Sequence, residues 1–149
     1  MGLEERKQTV EIDGTVYEIT PVPFGVGRPA LMRLIRIISP IFAAAMKQQG
    51  RDAAIGAVFE ALPTALADED VVYFEKLFGP YSQFQHGSEW IKLVDAQREL
   101  HFAGRYLVFA RWLVACMRCN FGDFFIGITS GDAFGGLVQM MAAPTRSTL

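Results

Sequence analysis

A mainly helical α+β domain, a small bundle of about four helices behind an N-terminal β-hairpin, is the fold this sequence predicts. Three observations carry that reading. Apolar and polar residues alternate on both sides of Asp13-Gly14. Leu31, Leu34, Ile35, Ile38, Phe42 and Ala45 recur at helical spacing. An apolar run with helical periodicity fills the stretch from about Leu93 to Asn120, far longer than any strand.

The hairpin comes first, over residues 8–20, "QTVEIDGTVYEIT". Val10 and Ile12 alternate with Thr9 and Glu11, and Asp13-Gly14 supplies the positive φ of a two-residue turn. A lone hairpin is marginal in water, so it must lie on the rest of the body or join another sheet. "PVPFGVG" interrupts the pattern, and a helix is predicted from about Pro29 to Lys47, with a kink or break at Pro40. A second, weaker helix runs from about Asp52 to Leu62 and ends near Pro63. "ADEDVVYFEKLFG" is the third: Asp68 is placed to cap it, Glu69 and Asp70 favour its positive end, and Gly79-Pro80 closes it. "GPYSQFQHGSEW" reads as loop. The fourth helix, from Trp90 or Leu93 to Asn120, is apolar around much of its circumference, the mark of a helix at a bundle centre or in an interface. Arg111 and Arg118 share one line on it and point to solvent or to an acidic partner. Asn120 or Gly122 ends it with a left-handed cap.

The chain has 149 residues, which fits one domain over 1–149: the hairpin, a helical body over 29–125, and a tail over 126–149 expected to be mobile. It is 51% hydrophobic and 20% charged with a net charge of -2, so no basic excess points to nucleic acid. Two cysteines and two histidines against 12 phenylalanines argue against a disulfide framework and for a reducing compartment. The charged N-terminus is unlike a signal peptide, and Arg6 stands where a myristoylation motif wants Ser or Thr. The run "AGRYLVFARWLVACMRC" is interrupted by Arg105, Arg111 and Arg118, each costing about 2.5–3.5 kcal/mol at a bilayer centre, so no membrane span is expected there.

Catalytic and cofactor patterns find little support. Gly25-x-Gly27-x-x-Ala30 matches a dinucleotide fingerprint on paper, but it follows half of a hairpin rather than the first strand of a βαβ unit. Pro29 also removes an N–H from the helix end that would hold phosphate. Cys116-Met-Arg-Cys119 lies near a helix C-terminus, where the dipole disfavours thiolate, and His86 and His101 do not complete a zinc set. His101 has no nucleophile or carboxylate constellation beside it. The acidic triplet Asp68–Asp70 reads as capping. No enzyme, no cofactor and no metal are expected.

The residues left over are aromatic. "FAGRY" over 102–106, "RWLV" over 111–114 and "NFGDFF" over 120–125, behind the helix "LADEDVVYFEKLFG", resemble the small tail assembly chaperones of long-tailed bacteriophages. The likeness covers residues 65–125 and, more loosely, the hairpin. It implies a non-enzymatic protein of the host cytoplasm that coats the apolar helical stretches of the tape measure protein until tail tube protein polymerises around it. It also implies a protein that self-associates. Phe121, Phe124 and Phe125 are then the partner anchors, with Tyr106 and Trp112 nearby and Arg111 or Arg118 setting orientation. Core packing is the alternative for each ring. Two other roles remain open: a structural minor tail or tube-associated protein of the virion, and a helical domain that binds a small molecule.

Overall fold

The computed structural model describes residues 2–128. In chain order these hold strands β1 (Gln8–Ile12) and β2 (Thr15–Ile19), helices α1 (Phe24–Gln49), α2 (Arg51–Ala65) and α3 (Asp68–Phe78), strands β3 (Ser82–His86) and β4 (Glu89–Lys92), and helices α4 (Asp95–Phe102) and α5 (Tyr106–Ile128). Short 3-10 turns precede β1 and follow α3. Two compact units result: Met1–Gly27 with Ala67–Asn120, and Arg28–Leu66 with the chain from Phe121 on.

The first unit is built on a four-stranded antiparallel sheet in the order β1-β2-β3-β4. Ile12 faces Thr15 across the first turn, and Asp13 and Gly14 have φ of 50° and 83°. Positive φ at both central residues is the type I′ geometry that matches strand twist, as Asp-Gly predicts. One face of the sheet buries Tyr17, Ile19, Ser82 and Phe84. α4 and α5 cover that face. The Trp112 indole N–H donates to Ser82 Oγ at 2.7 Å, Cys119 Sγ lies 3.6 Å from the Ile19 carbonyl, and the His101 ring stacks on Phe84 at 3.9 Å. On the other face Thr9, Glu18, Gln83 and Lys92 line up in register, a polar row suited to water. α3 contributes Phe74 and Phe78, stacked 5.9 Å apart and both buried.

The structure corrects several sequence expectations. "GPYSQFQHGSEW" is not a loop: after the 3-10 turn it forms β3 and the start of β4, so the described residues make an α+β fold with five α-helices and a sheet, not a four-helix bundle with one hairpin. Gly87-Ser88 makes the second tight turn, with positive φ (64°) at its first central residue only, the pattern of a type II′ hairpin. The long fourth helix is two helices. They part at Ala103–Arg105, where Gly104 takes φ of 72° and resets the helical phase. α5 then continues past Asn120 and Gly122 to Ile128, because no residue there adopts the left-handed cap. Asp68 is the first residue of α3, and the capping position falls on Ala67. Of the tail expected over 126–149, the first three residues are helical and the remainder lies outside the described residues.

α1, most of which belongs to the second unit, starts five residues early and runs unbroken through Pro29 and Pro40. Pro40 and Arg36 both lie on its exposed side, where water can take the carbonyl that Pro40 deprives of a donor. Pro63 likewise falls inside α2, two residues before its end. Buried positions Ala30, Leu34, Ile35, Ile38, Phe42 and Ala45 recur every three or four residues, a core stripe. By length and composition α1 would be long and apolar enough to cross a membrane, a test that core helices also pass. α2 supplies Ala54, Val58, Phe59 and Leu62. Phe59 meets Phe125 edge to face at 6.1 Å.

Candidate partner-binding site

His101 and the two cysteines are tied up in packing. His101 Nε2 lies 2.7 Å from the Tyr17 hydroxyl. Burial, helped by the Arg105 guanidinium, lowers its pKa to about 4, so the neutral ring accepts the tyrosine proton. Burial raises the Tyr17 hydroxyl in turn. Burial also pushes the Cys116 thiol well up and Cys119 to about 11, opposite to what a nucleophilic thiolate needs. Among the described residues no cluster of His, Cys, Asp or Glu could hold a metal ion. Gly25-x-Gly27 sits in the first turn of α1 beside an antiparallel sheet, without the parallel βαβ unit that gives the motif its meaning.

The seven residues singled out from the sequence separate into three groups. Trp112 (0% exposed), Phe121 and Phe125 are packed inside, and reaching them as anchors would require the fold to open. Phe124 is half-buried, edge to face with Phe125 at 5.3 Å. Tyr106, Arg111 and Arg118 are on the surface, and Tyr106 is 78% exposed. The phase reset at Gly104 explains that last value. A single helix would have kept Tyr106 in register with buried Phe102, whereas α5 instead buries Val108, Trp112 and Cys116.

Around the same break the structure exposes two residues that the sequence reading did not select, Leu100 and Leu107, at 73% and 63%. With Tyr106 they flank the turn from α4 into α5, here called the apolar corner. Beside it, between α3, α4 and the start of α5, lies a groove of about 380 Å³ with Val71, Phe102, Tyr106 and Phe109 among its lining residues. Ala103-Gly104 was the available signal: a small residue and a glycine inside an apolar helical run can mark a break, and a break changes which side chains face out.

A small α+β protein, with His101, Cys116 and Cys119 spent on packing and large apolar side chains held in solvent at the α4–α5 turn, is what the described residues define. The family follows from comparison. The pattern of a family described as phage tail assembly chaperone protein, TAC, matches residues 13–135, and the chain belongs to that family. No curated protein and no solved structure matches the chain. The match extends the resemblance seen at 65–125 to the first hairpin's turn, α1 and α2.

Proposed function

We propose that this protein is a non-enzymatic chaperone that binds the tape measure protein in the host cytoplasm and shields its apolar helical stretches until tail tube subunits assemble around it. The observation that carries the reading is the exposed trio Leu100, Tyr106 and Leu107, set close together in the chain at one helix turn, while the other large apolar residues exposed on the same unit, Phe24, Val26 and Trp90, lie elsewhere in the sequence. Isolated exposed leucines are ordinary, but three large apolar residues around one helix corner, beside a groove, are the surface an amphipathic helix uses. The test is co-expression with the tape measure protein of the same genome, followed by pull-down and a solubility assay. Co-purification and an increased soluble fraction are expected. Equal precipitation of the tape measure protein with and without this chain would refute the reading.

One observation favours a second role. β1 is an edge strand of a four-stranded sheet, and an edge can accept a strand from a neighbouring tail protein. A structural subunit would persist in purified virions, whereas a chaperone is released before the particle is complete.

A further inference from the structure

The groove beside the α4–α5 corner has a charge pattern as well as an apolar floor. Three carboxylates line it, those of Asp68, Glu75 and Glu99, against one guanidinium, that of Arg98. Arg98 is already committed: it is buried, its Nε donates to Glu75 Oε2 at 3.2 Å, and its Nη1 donates to the Leu93 carbonyl at 3.2 Å. Asp68 and Glu99 are exposed, and among the described residues neither has an ion-pair partner. Asp68 feels the positive end of the α3 dipole, equivalent to about half a charge, which leaves the mouth of the groove negative.

We propose that this groove receives one large apolar side chain from a partner helix, and that the partner carries a lysine or arginine within a turn of that anchor, paired with Asp68 or Glu99. The proposal rests on the chaperone reading for its partner but makes a separate claim about the partner's chemistry. An apolar floor gives affinity without direction. The carboxylates at its mouth add selection, because an acidic segment would meet two negative charges that lack an ion-pair partner among the described residues, next to a low-dielectric surface. Tyr106, with a ring at the lip and a hydroxyl able to meet water, suits the rim of such a contact.

The probes are two synthetic amphipathic helices with the same apolar face, one flanked by lysine and the other by glutamate. Binding is read by fluorescence anisotropy at low and at physiological salt. The wild-type protein should prefer the lysine peptide by roughly tenfold, with the preference shrinking as salt is added. In Asp68→Lys/Glu99→Lys the preference should reverse, and Tyr106→Ala should weaken both peptides. All three positions are exposed, so circular dichroism should show the wild-type fold in each variant, with the double variant melting somewhat lower because Asp68→Lys puts a cation at the positive end of α3. Equal affinity of the wild type for the two peptides, or a lysine preference that survives the double substitution, overturns the proposal. Tape measure binding is measured separately. Its presence without a lysine preference sinks the groove alone, and its absence sinks the chaperone reading while the peptides still decide the groove.

Discussion

At the scale of single residues, His101 shows how a potentially catalytic group is turned into structure. Its ring is stacked on Phe84, lies edge-on to Phe102 at 4.8 Å, and accepts from Tyr17. Protonation would put a charge on a ring that burial keeps from water, and would place it near the Arg105 cation. The fold therefore holds the pKa at about 4, against an ordinary value of 6.5. The linkage has a definite sign. Below about 6.5 the unfolded chain takes up a proton that the folded chain refuses until near 4, so this contribution to stability is complete above 6.5 and lost as the pH falls toward 4. Melting temperature measured from pH 7 to pH 4.5 should fall less steeply in His101→Gln than in wild type. Parallel slopes would mean that the ring is protonated freely in the fold. Gly79 illustrates a different constraint: a Cβ there would lie 2.3 Å from the Leu93 carbonyl oxygen and 2.8 Å from Arg98 Nη1, so the backbone passes where only glycine fits.

Among the elements, the α4–α5 break matters most, because it decides which apolar residues are spent on the core. Gly104 holds φ of 72°, and a Cβ there would meet no atom within 4 Å, so the requirement is conformational rather than steric crowding. Gly104→Ala should cost about 1–2 kcal/mol in denaturant unfolding, from the left-handed backbone alone. An unchanged midpoint would show that the break does not need this conformation. The same element explains how far the sequence could be read. The first hairpin was legible because Asp-Gly turn chemistry and strand alternation agree, and α1 because its core stripe is strongly periodic. β3 and β4 were not, because "SQFQH" and "EWIK" are short and mostly polar, and Gly87-Ser88 is a weaker turn signal than Asp13-Gly14. For the site, Arg111 and Arg118 were placed toward solvent by spacing, whereas one continuous helix would have kept Tyr106 beside Phe102, and only the break turns it outward. Trp112, Phe121 and Phe125 could not be told from core, since burial of a ring depends on what packs over it. Leu100 and Leu107 were hidden by reading one continuous helix where the glycine makes two.

For the molecule as a whole, the balance between stability and binding surface is the point at issue. A chaperone has to keep apolar area that its own folding does not consume, and on the proposed reading this chain separates the two tasks. Phe74, Phe78, Trp112 and Met117 are fully enclosed, while Leu100, Tyr106 and Leu107 add nothing to that interior. Substitutions on the two sets should therefore have opposite signatures. Phe74→Ala removes a buried ring and should lower stability by about 3–5 kcal/mol, taking every activity with it. Leu100→Ser/Leu107→Ser should leave stability within about 0.5 kcal/mol per site, since each side chain is already mostly in water. The same double variant should lower the fraction of tape measure protein kept soluble on co-expression. It should also reduce self-association of the partner-free protein in sedimentation, because copies lacking a client would otherwise bury the same corner against each other. If the variant melts like wild type and still keeps the tape measure protein soluble to the same extent, the corner is ordinary surface and the client is held elsewhere.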